Sequence, residues 1–321
     1  MTPQSLALPD GAAVVAAVAP LLAAAADRAG VTLVARRPNP CFSTAPTEIV
    51  TLDVPARGHV ELFLKYDRGS IDPEPRFRQG LAYCSRAYAC VVRRASLPHV
   101  PCLGLVAVGS PPCSMLVLEH LAGALRVNET ADESGVIAAA EWCGRLHAWG
   151  LDEVDDPAVA FLARHDLDYY VAWATRARAL AAASGPVPPW LAGLCTEFGS
   201  LAAALAAAER TTIHGDFGPQ NVLWRDGVVY PVDWESAAVG PGAIDLATLL
   251  FAWPTEVVRR GIDAYWRSRG SRPPANFAAI FAAATVYTAL RWLPIPDGRD
   301  EPGWHRALGR LEAAAALSRA F

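Results

Sequence analysis

The alternation of apolar and polar positions separates a strand-rich first third of the chain from a helix-rich remainder. His59-Val60-Glu61-Leu62-Phe63-Leu64-Lys65-Tyr66 has a period of two, with Val60, Leu62 and Leu64 on one face and Phe63 and Lys65 on the other. Val31 to Arg36, Glu48 to Val54, Leu103 to Val108 and Ser114 to Glu119 read as further strands, and Gly80 to Arg94 as a helix. Ala56-Arg57-Gly58 turns the chain into the Lys65 strand. From Glu133 onward the spacing becomes helical. Ile137, Ala140, Leu146 and Trp149 predict a helix over Val136 to Trp149 that stops at Gly150. Asp168 to Ala183 and Pro189 to Glu209 follow as alanine-rich helices around a Gly/Pro breaker at 184–189. Val257 to Phe321 supplies the last helices, with a loop at Pro294 to Pro302. The apolar run Gly11 to Ala26 is shorter than the ~20 residues that span a bilayer. It contains Pro20 and is preceded by Asp10 rather than a positive start, so it reads as a packed helix and not a secretory signal.

One stretch breaks this pattern, Thr211 to Trp234. Val222-Leu223-Trp224 and Val228 to Val232 are strand-like, and Asp226-Gly227 between them is a tight-turn signal. A two-residue turn there sets Asn221 opposite Val232, so Asp233 emerges at the same end as Asn221, with Asp216 in the loop just before. Two carboxylates and an amide oxygen on one rim suit a hard cation such as Mg²⁺, which binds few carboxylates together with substrate phosphates. His214-x-Asp216, with Asn221 five residues after the aspartate, has the spacing of a kinase catalytic loop.

Composition adds one sharp fact. Of 28 basic residues, Lys65 is the only lysine. A lysine kept against so strong an arginine bias points to a task that needs a compact ammonium rather than a planar fork. The formal charge of −4 gives no basic field for nucleic acid, and seven cysteines without paired spacing indicate reduced thiols and a cytoplasmic protein.

The run HGDFGPQNVLW, followed by PVDWESAAVGPGAIDLATLL, resembles the Brenner-type motif of the aminoglycoside phosphotransferase and choline kinase family, small-molecule kinases with a protein-kinase-like fold. The resemblance implies an α+β, two-lobed architecture. Residues 1–120 would form a nucleotide-binding lobe with an antiparallel five-stranded sheet, and residues 121–321 a mainly helical catalytic and substrate-binding lobe. It further implies that Asp216 accepts the proton of the attacking hydroxyl and that Asn221 and Asp233 hold Mg²⁺. Lys65 would contact the α- and β-phosphates of ATP or GTP, and main-chain groups of Glu119 and Leu121 would pair with the base. Glu235 would support the metal shell, His214 the loop backbone, and Asp245 would brace the catalytic loop by accepting backbone hydrogen bonds.

Two departures stand out. The segment RRPNPCFSTAPT lies where kinases place a glycine-rich phosphate loop but contains no glycine, leaving Ser43 and Thr44 hydroxyls and backbone N–H groups to cover the phosphates. Cys84 holds the helix position where the family carries a glutamate for the strand lysine; Glu74 could substitute, or the nucleotide alone could hold Lys65. The expected reaction is phosphorylation of a hydroxyl on a small molecule, an antibiotic or related natural product of aminoglycoside or nucleoside type. The alternatives are a choline, amino-alcohol or sugar kinase, or a catalytically weak nucleotide-binding protein. Asp245 follows Asp233 by twelve positions, too few for the peptide-docking segment of a protein kinase. Seven acids against three arginines over 151–200, reversed to six against ten over 255–321, tilt the acceptor away from a polycation. No membrane or nucleic-acid partner is expected. Trp253, Tyr265, Trp266, Tyr287, Trp292 and Trp304 are the aromatic residues that could wall an acceptor pocket.

Overall fold

A computed structural model describes residues 8–24, 27–41, 43, 45–67, 79–110, 112–130, 132–183, 187–251, 253–293, 309 and 312. The chain divides into two compact units, Met1–Ala124 with Tyr230–Ser236, and Leu125–Val229 with Ala237–Phe321.

The first unit is built on an antiparallel sheet of β1 (Thr32–Pro38), β2 (Thr47–Val54), β3 (Gly58–Tyr66), β4 (Cys102–Val108) and β5 (Cys113–Glu119), in the order β1-β2-β3-β5-β4. Helix α1 (Gly11–Leu22) is started by Asp10, whose carboxylate accepts the Ala13 N–H at 2.8 Å. Its buried Val14, Val18 and Leu22 recur every four residues and pack on Val50, Leu52, Leu62, Leu64 and Tyr66. That packing fixes the register of β3. With Leu62 and Leu64 turned to α1, Lys65 must leave the opposite face, where it pairs in register with Thr47 and Leu116. Beside the core, Arg36 grips buried Glu48 through two bonds of 2.7 Å, and Tyr66 Oη donates to the same carboxylate at 2.5 Å. Helix α2 (Leu81–Ala87) runs on into a wider helical turn over Tyr88–Val92.

The second unit is mainly helical. It contains α3 (Ser134–Glu153), α4 (Leu167–Ala182), α5 (Pro189–Ala207), α6 (Ala243–Leu250), α7 (Thr255–Arg269) and α8 (Phe277–Arg291). Short strands complete it: β6 (Leu125–Arg126), β7 (Ala163–Arg164), β8 (Arg210–Ile213), β9 (Val222–Arg225) and β11 (Ala238–Pro241), while β10 (Val228–Pro231) is the second arm of the hairpin begun by β9. β11 lies between β7 and β8, and β6 pairs with β9. Helix α5 is long and apolar enough to cross a membrane by length and composition, but it buries Leu191, Leu194, Phe198, Ala202 and Leu205 against its neighbours α4 and α8.

Gly150 does not end α3, as its sequence suggested. The helix continues through it to Glu153, because a Cβ there would meet Thr211 Oγ1 at 2.5 Å and the Thr212 backbone N at 2.7 Å. The missing side chain lets α3 lie against β8, and Thr211 Oγ1 donates to the His147 carbonyl at 2.8 Å. The Asp226-Gly227 turn is the two-residue type expected, with φ of 52° and 81° at its two positions. The loop proposed over Pro294 to Pro302 and the last helix beyond it lie, apart from 309 and 312, outside the described residues.

Candidate active site

In the first unit the Lys65 ammonium lies 2.7 Å from Asp233 Oδ1 and 2.5 Å from Glu235 Oε1, with only 6% of the residue exposed. Burial opposes a charged ammonium, yet the two carboxylates outweigh it and hold the Lys65 pKa above its ordinary value. Asp233 adopts a φ of 69°, a left-handed backbone unusual for a residue with a Cβ and worth roughly 1–3 kcal/mol of strain. That twist sets its carboxylate on Lys65 while Trp234, fully buried, anchors the following turn. The Trp234 indole donates to the Pro231 carbonyl at 3.3 Å, and Tyr88 packs edge-on against its ring at 6.3 Å. Helix α2 packs on the turn of Trp234–Ser236, and the Gln79 N–H donates to the Glu235 carbonyl at 3.2 Å. Cys84 faces the same cluster, and burial pushes its thiol well up, so it is neutral.

In the second unit, β8 ends where the catalytic-type loop begins. Asp245, near the start of α6 and fully buried, accepts the N–H groups of His214 at 2.6 Å and Gly215 at 2.8 Å. Burial alone would raise its pKa, but hydrogen bonds from His147 and the loop outweigh that and keep it low and ionised. Burial pushes His147 down, so its neutral ring donates from Nε2 to Asp245 at 3.2 Å and accepts the Tyr265 hydroxyl at Nδ1, 2.9 Å away. Cys143 adjoins this pair, and the three potential ligand atoms lie within 4.8 Å of one another. Asp245 and His147 are committed to hydrogen bonds with the loop and with each other, so the trio braces the loop.

The braced loop presents Asp216. Its N–H donates to His214 Nδ1 at 3.2 Å, and Asn221 Nδ2 donates both to its carbonyl at 3.0 Å and to its Oδ2 at 3.1 Å. One carboxylate oxygen is thereby oriented by Asn221, and the Asn221 amide oxygen is left as an acceptor. Phe217, buried, stacks on Trp142 at 5.7 Å and pins the loop to α3. From α8, Arg291 donates to the Gly215 carbonyl while its guanidinium lies 5.7 Å from the Trp173 ring and 5.9 Å from the Tyr287 ring. Burial would lower the Arg291 pKa, but Tyr287, Asp216 and other neighbours raise it further above its ordinary value, so its charge is permanent.

The other residues singled out in the sequence fall as follows. Ser43 Oγ accepts the Ala45 N–H at 3.3 Å in the connection from β1 to β2; Thr44 and Glu74 lie outside the described residues. The Glu119 N–H donates to Pro101 at the end of β5, and the Leu121 carbonyl accepts from Ala124. Tyr265 and Trp266 are core residues, Trp292 packs edge-on against Phe251, and Trp304 lies outside the described residues. Sequence reasoning missed Arg291 and its aromatic neighbours on α4, although Tyr169, Tyr170 and Trp173 share a helical spacing that marks one face. It also missed the pairing of Glu235 with Lys65.

A family model described as the phosphotransferase enzyme family matches residues 58–313. No curated protein sequence matches the chain significantly. Solved structures of the same fold include a choline/ethanolamine kinase family protein from Mesorhizobium loti, with a TM-score of 0.63 at 18% identity, covering 93% of this chain and 92% of that one. An aminoglycoside 2'-phosphotransferase-IIIa variant in complex with GDP gives 0.63 at 13% identity, covering 89% and 92%. The macrolide 2'-phosphotransferase of Brachybacterium faecium gives 0.56 at 17% identity, covering 90% and 94%. At such identities the likeness is one of fold.

Proposed function

The chain belongs to the phosphotransferase enzyme family, and from that premise we propose that it transfers the γ-phosphoryl group of ATP, or of GTP, to a hydroxyl of an uncharged natural product of nucleoside or related type. The observation that carries this reading is Asp216, held on a loop clamped by Asp245 with its carboxylate turned by Asn221. Such a carboxylate can orient a hydroxyl and receive its proton within ~3 Å. Asn221 and Asp233 offer hard oxygen donors that fit Mg²⁺ and would hold it. When bound, that ion offsets the negative charge of the phosphates. Lys65 would contact the α- and β-phosphates, Ser43 and Thr44 would cover them, and the Glu119 carbonyl and Leu121 N–H would accept from and donate to the base.

Arg291 supports an uncharged acceptor. The rings of Trp173 and Tyr287, beside the arginine that holds the Gly215 carbonyl, already carry a permanent cation. A quaternary ammonium seeking those rings would meet like charge and lose the cation–π attraction it needs. Relatives of the same fold include choline kinases and a macrolide phosphotransferase, so both kinds of acceptor belong in the test. A coupled ADP-release assay across nucleoside antibiotics, macrolides, sugars, aminoglycosides and amino alcohols should give saturable turnover with an uncharged hydroxyl compound. Turnover confined to choline or to polycationic aminoglycosides would overturn the choice of acceptor, and ATP binding without product on any of them would overturn the reaction.

A further inference from the structure

Lys65 raises a physical problem that its own strand cannot answer. A nearly buried ammonium must be matched by carboxylates, and it must stay aimed when one of them is drawn away. Among the described residues two carboxylates meet it, from positions 233 and 235 of one turn. Asp233 is also the carboxylate proposed for the metal, so its charge is shared once a nucleotide arrives. Helix α2, the element packed on that turn, brings Leu81, Ala82, Tyr83, Cys84, Ser85, Arg86 and Ala87, none of them a carboxylate. Cys84, the α2 residue in this cluster, is 1% exposed and carries no charge to offer.

We infer that Glu235 is the positioning residue for Lys65, keeping its ammonium on the nucleotide phosphates from the turn after Asp233, where α2 supplies only a thiol. The geometry favours this role over a place in the metal shell. The Glu235 side chain is 8% exposed, its Oε1 is 2.5 Å from Nζ, and its backbone is tied to Gln79. Trp234, between the two carboxylates, is locked by Pro231 and Tyr88, so the turn holds Glu235 at a fixed distance from β3. Glu235 therefore acts through Lys65 and touches no reacting atom.

The inference rests on the proposed nucleotide reaction, and its test separates the two. Because Lys65 is the only lysine, an amine-reactive label read by mass spectrometry reports on that side chain alone, apart from the N-terminus. In the free protein, Glu235→Gln should raise the Lys65 labelling rate about tenfold, the loss expected for one charged hydrogen bond. In turnover it should raise the KM for nucleotide and lower kcat, with the acceptor KM unchanged. Moving the carboxylate to the helix, in Cys84→Glu/Glu235→Ala, should restore slow labelling and at least roughly a tenth of wild-type kcat/KM for nucleotide. If Glu235→Gln does not fold, this exchange variant decides, and a folded exchange protein with fast labelling contradicts the inference. Unchanged labelling and nucleotide KM in Glu235→Gln, or a raised Mg²⁺ requirement that the exchange does not repair, would assign Glu235 elsewhere. Absence of product with wild-type protein would instead remove the reaction, leaving the labelling result to stand or fall separately.

Discussion

Asp216 and His165 show how much a single side chain's surroundings decide. Asp216 is useful because Asn221 fixes one of its oxygens and Asp245 fixes the loop beneath it. Asp216→Asn should cut kcat by about 10²–10⁴-fold, with the thermal midpoint of the protein essentially unmoved; near-normal turnover by that variant would remove its role. His165, buried and stacked on Tyr169 at 3.8 Å, has its pKa pushed down to about 3, chiefly by burial and then by Arg291. A histidine in an unfolded chain titrates near 6.5, so between about 6.5 and 3 the unfolded state binds a proton that the folded state refuses. Stability contributed by neutral His165 is thus complete above about pH 6.5 and is lost as the pH falls, at up to about 1.4 kcal/mol per unit. Urea titrations from pH 7 to 5 should show this decline, and His165→Phe should flatten it by about one proton's worth. An identical slope in the variant would assign the acid sensitivity to other groups, among them His147. The solitary lysine and the His-x-Asp spacing were legible because they are matters of residue type and number. The partner of Lys65 was not, because an ion pair 168 or 170 positions apart leaves no local pattern.

At the level of elements, alternation and helical spacing located most strands and helices, and failed where a residue's meaning depended on a distant neighbour. Gly150 looks like a helix stop, yet it is a contact glycine whose reason is β8, some sixty positions on. Gly150→Ala should therefore destabilise by about 1–3 kcal/mol through overpacking, against the mild stabilisation an exposed helical glycine would give. Stability equal to or above wild type in urea would show that the approach of β8 does not require a glycine there. Glu48 makes the same point between strands. Arg36 and Tyr66 both depend on its carboxylate, so Glu48→Gln should cost about 2–4 kcal/mol by leaving a partly buried guanidinium poorly matched. A smaller change than a surface ion pair produces would mean that Arg36 finds its compensation in the Pro9 carbonyl and water.

For the molecule as a whole, the change from alternating to helical spacing marks where strands give way to helices, but nothing in it marks that Tyr230–Ser236 belongs with the first unit. That short return carries Asp233 and Glu235 to Lys65, and on the inference drawn above it stands in for a carboxylate on α2. The setting of Arg291 was the least legible feature, since its ring neighbour Trp173 lies on α4, 118 positions away, and only Tyr287 shares its helix. Asp216 is central to the proposed transfer of a phosphoryl group to a hydroxyl by this chain. The most direct measurement is phosphorus NMR of ATP, Mg²⁺ and the acceptor selected by ADP release, with wild-type and Asp216→Asn protein side by side. A phosphomonoester resonance growing in step with ADP, present for wild type and missing for the folded variant, is the predicted result. ADP accompanied by inorganic phosphate alone, or ester formed equally by both proteins, would contradict it.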